Sequence, residues 1–238
     1  RSGHGWDGEP MSFTRLQAVV DQHLEGRDAL RILEAGCGSA SHLRFGPGAH
    51  LVGIDISERQ LDRNGALDEK IVGDLQSHPL GSGYDLIVCW DVLEHLPRPD
   101  DALENMLASV APGGLLVIAA PDPASGKGLA TKLTPYRVHV WAYKLVGFEG
   151  AGQDDRGPFR THMRFAIRPA RISRLASGLG FQTVFLEFRE SGMQSSLRSK
   201  IRLVGRAWER VRAIVRRVSG GRIDPAATDF TIVLRAKP

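Results

Sequence analysis

A chain of 238 residues, 42% hydrophobic and 24% charged, has the size of one α/β domain with a sizeable core and the composition of an ordinary soluble globular protein. It contains no apolar run approaching the ~18 residues of a spanning helix, and its two cysteines, Cys37 and Cys89, lie in apolar contexts that exclude a disulfide framework or a zinc site and suit a reducing, cytoplasmic setting. The net charge of +4 is local: residues 198–217 hold eight Arg and Lys against one acid, Glu209, a +7 segment that leaves −3 elsewhere and so gives no reason to expect a nucleic-acid partner.

Residues 1–10 are polar and Gly-rich. They read as a loose arm rather than a signal peptide, and the missing initiator methionine is expected to reflect trimming or added residues. Phe13, Leu16, Val19 or Val20, and Leu24 have the spacing of a helix over 13–24. Strands follow at 31–34, 50–54, 70–72, 84–89 and 115–120. Ser57 is placed to cap a short helix at 58–64, residues 39–45 are expected to open a helix, and another is expected to start at 92–96 and resume at 100–109. This β-α-β alternation with short connections predicts one doubly wound, mostly parallel sheet covered by helices on both faces.

Between residues 122 and 168 the alternation stops. Pro123, Pro135 and Pro158 punctuate a stretch that carries Tyr136, Trp141, Tyr143, Phe148 and Phe159 with His139 and His162. An insertion of this length is expected to be functional, a lid with an aromatic wall over the acceptor. A helix at 169–179, a strand at 181–188 and a last strand at 229–235 complete the chain. Between those two strands, Leu197, Ile201, Val204, Trp208, Val211, Val215 and Val218 step by 4 and 3, an apolar stripe on a basic helix insert spanning 195–220. Peripheral contact of 197–218 with an anionic membrane or a lipid substrate is the expectation that such a face raises, beside the plainer one of a solvated cover.

Ligands of such sheets bind outside the carboxyl ends of the strands. Glu34, Asp55, Asp74 and Trp90 fall at those ends, and Gly36 and Gly38 follow the first strand. The Gly-x-Gly-x-x-Gly dinucleotide fingerprint is broken by Ser41, and the carboxylate of Glu34 ill suits a pyrophosphate. A cationic nucleotide suits it better. That argues against an NAD-dependent oxidoreductase, which stays as an alternative together with a non-catalytic cofactor-binding protein.

The series ILEAGCGSA, VGIDIS, GDL, DLIVCWDVLEHL and APGGLLVIAAP resembles, in order and spacing, the motifs of class I S-adenosylmethionine-dependent methyltransferases. The resemblance implies a seven-stranded Rossmann-like sheet in a single domain over 1–238, with the lid inserted after the fifth strand, and S-adenosyl-L-methionine as cofactor, leaving as S-adenosyl-L-homocysteine. It implies that Gly36 and Gly38 admit the methionine portion with Glu34 balancing local positive charge, that Asp55 takes the ribose hydroxyls, that Asp74 and Leu75 meet the adenine and Trp90 the adenosine or the methyl group, and that Ile56 also belongs to the cofactor site. His95, His139 and His162 are the candidate bases. No metal is expected. The expected reaction is methyl transfer to an oxygen of a small, partly apolar acceptor such as a secondary metabolite, sugar or lipid-linked compound, with N-methylation of a small molecule or peptide as the alternative.

Overall fold

The structure is a computed structural model that describes residues 11–27, 29–41, 43–138, 140, 159–191, 202–221 and 224–238. Its frame is a seven-stranded sheet in the order β3-β2-β1-β4-β5-β7-β6. The strands are β1 Arg31–Ala35, β2 His50–Asp55, β3 Glu69–Val72, β4 Tyr84–Trp90, β5 Val110–Pro121, β6 Phe181–Arg189 and β7 Asp229–Ala236. The first five pair in parallel, while β7 runs antiparallel between β5 and β6. The parallel, seven-stranded expectation holds, and the departure from it sits where the chain leaves the simple repeat.

The pattern of side chains explains why the sheet is covered on both sides. Leu33, Ala35, Ile87, Cys89, Leu116, Ile118, Ile232 and Leu234 form one buried cluster. The residues between them, Ile32, Leu86, Val88, Trp90, Leu115, Val117, Ala119 and Val233, belong to a second cluster. Period-two alternation thus sends apolar groups to both faces, each fully buried Val, Leu or Ile being worth roughly 1.5–3 kcal/mol. Helix α1, Met11–Leu24, covers the second face through Leu16, Val20 and Leu24. Helix α3, Pro99–Ser109, covers the first through Ala102, Leu103, Met106 and Leu107. Ser57 caps the short α2, Glu58–Arg63, by accepting from the Gln60 N–H.

Two local expectations give way. No helix forms among the described residues of 39–45; Gly46-Pro47-Gly48 follows at once and leaves less than two turns in which to nucleate one. After β4 there is a single 3-10 turn, Leu93–His95, rather than the start of an α-helix, because Pro97 and Pro99 interrupt it and Pro99 opens α3 instead.

The insertion after β5 begins with a helix, Gly126–Leu133, capped by Ser125. His139, Trp141, Tyr143 and Phe148, on which the expected aromatic lid depends, lie outside the described residues. The basic helix spans Arg202–Val218. Leu197 and Ile201 lie outside the described residues, while Val211, Ile214 and Val218 are 49%, 60% and 84% exposed. No described helix is long and apolar enough to cross a membrane.

Candidate cofactor and acceptor site

The loop leaving β1 is built by two glycines with different tasks. Gly36 and Gly38 have φ of +71° and +53°, a region open to glycine at little cost. A Cβ on Gly36 would lie 2.5 Å from a Val92 methyl, whereas one on Gly38 would meet nothing within 4 Å. The first glycine therefore lets the loop pack against the segment after β4, and the second leaves open space in front of the main chain. The Gly36 and Cys37 N–H groups both donate to the Ile54 carbonyl, at 2.8 and 3.2 Å, which staples the loop to β2.

Two carboxylates flank this loop. Glu34 is only 1% exposed, and its Oε1 has no hydrogen-bond partner. Burial pushes its carboxyl up to about 7, against the pull of the Ser41 hydroxyl. Asp55 stands across the mouth, with Oδ2 accepting from the Gly38 N–H at 2.9 Å and Oδ1 from the Ser57 N–H at 2.8 Å. Burial, then Asp55 and Glu34, push the Cys37 thiol between them up to about 12, so it is inert at neutral pH.

A buried carboxyl with an unmet oxygen suits a ligand that brings a positive charge, and the lone pairs left on Asp55 suit a vicinal diol. Both are features of S-adenosylmethionine, so these residues fit that cofactor.

The adenine end differs in detail from the sequence expectation. Asp74 is placed at the carboxyl end of β3, but its carboxylate accepts from the Gln76 N–H at 2.9 Å and from Gln76 Nε2 at 2.9 and 3.0 Å. Leu75, expected against the ring, is 4% exposed and packs into the core. The open apolar side chains here are Ile56, 76% exposed, which follows Asp55, and Val72, 55% exposed, which pairs with Asp55.

Trp90 closes β4 on the face covered by α1. It is buried, with the Phe13 ring 5.4 Å away and the Arg189 guanidinium 4.9 Å above its own ring. Beyond it the chain turns through Asp91, a non-glycine residue with a φ of +54° that is open to solvent yet ringed by protein. Burial pushes its carboxyl up to about 6, with Arg189 opposing and Asp229 assisting. Glu94 is driven well above the usual carboxylate range, first by burial and then by Asp91. Lys127 pairs with Asp229 at 2.8 Å beside them.

His95 and His162 come together around this turn. Nδ1 of His95 lies 2.9 Å from the Arg160 carbonyl, and the His162 N–H donates to the Glu94 carbonyl at 2.7 Å. A carbonyl can only accept, so Nδ1 of His95 carries the proton and Nε2 keeps a lone pair. Burial holds His95 below its ordinary 6.5, with the Arg160 carbonyl opposing and His162 assisting. Of the three candidate bases, the third, His139, lies outside the described residues. Asp91, Lys127, Arg189 and Asp229 were not singled out by sequence reasoning. The one available signal was Asp91 with Glu94 three residues on, directly after a strand.

Among the described residues no cluster of three or more His, Cys, Asp or Glu could hold a metal. The order of the sheet, the glycine loop after β1 and the acid ending β2 define the class I S-adenosylmethionine-dependent methyltransferase architecture.

A sequence profile of the methyltransferase domain family matches residues 12–184, and the chain belongs to that family. Among curated relatives, it is 30% identical to the mitochondrial ubiquinone biosynthesis O-methyltransferase of Schizosaccharomyces pombe over 135 residues, 48% of this chain and 48% of that protein. It is 30% identical to the ubiquinone biosynthesis O-methyltransferase of Bordetella avium over 127 residues, 46% of this chain and 52% of that protein. The Paraburkholderia xenovorans protein of the same name is 31% identical over 172 residues, 68% of this chain and 67% of that one. The chain spans about half the length of the first two of these.

Solved structures share the fold. The N-methyltransferase NodS of Bradyrhizobium japonicum, in complex with S-adenosyl-L-homocysteine, superposes with a TM-score of 0.51 at 14% identity, covering 98% of this chain and 90% of that one. The [4+2]-cyclase SpnF superposes with a TM-score of 0.54 at 15% identity, covering 94% and 80%. A methyltransferase and a cyclase on one frame show that this likeness speaks for the fold alone.

Proposed function

We propose that the protein transfers a methyl group from S-adenosylmethionine to an oxygen of a small, partly apolar acceptor. The observation that carries the cofactor half is the buried Glu34 with its unpartnered Oε1, beside a glycine loop and faced by Asp55. The oxygen acceptor rests on the relatives, whose names are those of O-methyltransferases. The cofactor supplies an activated methyl on a sulfonium. The protein supplies alignment, worth roughly 7–11 kcal/mol in favourable cases. In this reading Glu34 balances the cofactor's charge, Asp55 takes the ribose hydroxyls, and Ile56 covers one side of the base.

His95 is the base of this proposal. Its protonated Nδ1 is tied to a backbone carbonyl, and its lowered basicity keeps Nε2, 3.8 Å from the Glu94 carboxyl, unprotonated at neutral pH. The test is calorimetry with S-adenosylhomocysteine and with NAD, followed by methyl transfer to a panel of phenols, carboxylic acids and amines. Tight binding of the homocysteine compound and transfer to oxygen are expected; binding of NAD instead would sink the reading, and transfer to amines alone would move it to N-methylation. His95→Gln is expected to lower turnover about 10²–10⁴-fold while leaving cofactor affinity unchanged. At saturating cofactor the wild-type turnover should fall on the acid side of the ordinary imidazole range, where His95 gains its proton.

A further inference from the structure

The basic helix between β6 and β7, Arg202–Val218, sorts its side chains by face in a way the sequence stripe does not show. Trp208, Arg212 and Val215, at steps of 4 and 3, are half-buried and form the side turned to the rest of the protein. Arg212 donates to both carboxylate oxygens of Asp224 at 2.9 Å, and Arg216 lies 3.8 Å from the same carboxylate. These contacts fasten the helix to the segment that leads into β7.

The other side is unlike it. Val211, Ile214 and Val218, at steps of 3 and 4, make a ridge of exposed aliphatic side chains. Arg206, Arg210 and Arg217 are exposed along one flank of that ridge and make no ion pair among the described residues. Arg210 and Arg217 each stand one turn from Ile214, on either side of it along the helix. Glu209, the one acid of the helix, falls on the opposite side, 3.8 Å from Arg212. The cations facing the protein are therefore paired, and those beside the wet aliphatic ridge are not.

We propose that this outer face docks the protein on an anionic lipid bilayer, with Val211, Ile214 and Val218 at the boundary between headgroups and acyl chains and Arg206, Arg210 and Arg217 on the lipid phosphates. The pairing of the two features selects this occupant. A second copy of the chain would bring equal rows of arginine together. A nucleic acid would answer the guanidinium groups and leave the aliphatic ridge in water. A bilayer with acidic headgroups answers both at once. The helix springs from the end of the sheet that carries the cofactor loop, because Asp229, which opens β7, pairs with Pro121 at the carboxyl end of β5 and with Arg189 at the end of β6. The inference goes beyond the methyltransferase reading and does not depend on it.

The experiment sediments the full chain with vesicles of phosphatidylcholine alone and of equal parts phosphatidylcholine and phosphatidylglycerol, at low and at high salt, and measures binding to duplex DNA alongside. Binding to the mixed vesicles is expected, weakened by salt and at least about tenfold tighter than to the neutral ones. Replacing Arg206, Arg210 and Arg217 together by Gln should weaken it about 100-fold, roughly fivefold for each charge near the surface. Ile214→Ser combined with Val218→Ser keeps every charge and should still weaken it about tenfold. No binding to the mixed vesicles at low salt, equal binding to neutral vesicles, unchanged affinity in either variant, or tighter binding to DNA than to vesicles would each overturn the proposal. So would self-association in the ultracentrifuge that the Ser variant abolishes. Circular dichroism on each variant checks that the helix is kept, and the lipid and salt dependence of the wild type decides the matter where it is not.

Discussion

The cofactor cradle and the recess beside it are built in different ways. The cradle is local: Glu34, the two glycines, Asp55 and Asp74 come from 41 consecutive residues, on three parallel strands joined by short connections. The recess beside it is assembled from Phe13 on α1, Trp90 on β4, Arg189 on β6 and Thr231 on β7. The antiparallel insertion of β7 between β5 and β6 brings the last two beside Trp90. In the proposed reading the cradle residues answer a ligand with a charge and a diol, and their geometry follows from strand ends and a turn. The recess residues answer whatever the fold brings together, and their chemistry is a product of topology.

The sharpest way to separate the two is to remove the acid at the end of β2. Asp55→Ala is expected to weaken S-adenosylhomocysteine about 100-fold, since hydrogen bonds to a charged group contribute ~1.5–3 kcal/mol each. Asp55 also accepts from the loop at Gly38 and from Ser57, so Asp55→Asn, which keeps one acceptor oxygen, should lose less. Arg189→Gln should leave the same affinity unaltered. Calorimetry on the three variants reads the contrast, and an equal loss in all of them would mean that cradle and recess are not independent.

Glu34 offers a pH-dependent test of the cradle alone. Its value in the folded protein, about 7, is above the ordinary 4.5, so ionising it costs the free fold stability. That stability is full below about pH 4.5 and is lost as pH rises through 7, by up to about 3 kcal/mol. A ligand bearing an ammonium group reverses the preference, because it favours the ionised carboxyl. Affinity for S-adenosylhomocysteine should therefore rise roughly tenfold between pH 5 and 7.5, while the denaturation midpoint of the free protein falls over the same interval. Glu34→Gln should flatten both curves. A wild-type protein whose binding is independent of pH in this range would show that the carboxyl does not meet the ligand's charge.

How much could be read in advance follows the same division. Glu34, Gly36, Gly38 and Asp55 were legible because a strand, a turn and the next strand fix their relative positions within a short stretch. The seven-stranded sheet was legible from alternation and from the motif series. The helix expected at 39–45 was not stopped by any residue within it but by the Gly46-Pro47-Gly48 that follows. The partnership of Trp90 with Phe13 and Arg189 could not be read, because it needs the position of β6 across a strand that arrives 40 residues later. Asp91 and Glu94 were visible as acids, but their raised carboxyls arise from burial and mutual repulsion, which spacing alone does not report.

The smallest expected effect decides a detail within the cradle, namely which apolar side chain meets the base. The motif resemblance assigned Leu75, whereas the geometry leaves Leu75 in the core and Ile56 in the open. Leu75→Ala should lower unfolding stability by about 2–5 kcal/mol, the cost of truncating a buried Leu. Ile56→Ala should change stability by less than about 0.5 kcal/mol, since its side chain has little to lose. Covering about 40 Å² of Ile56 with a purine, at ~25 cal/mol per Å², is worth about 1 kcal/mol and hence about fivefold in affinity. A fivefold weaker S-adenosylhomocysteine in Ile56→Ala with an unmoved melting point places the base against Ile56. Unchanged affinity in that variant would take the base off Ile56 and leave Val72, the other open apolar side chain at this end, or Leu75 to meet it.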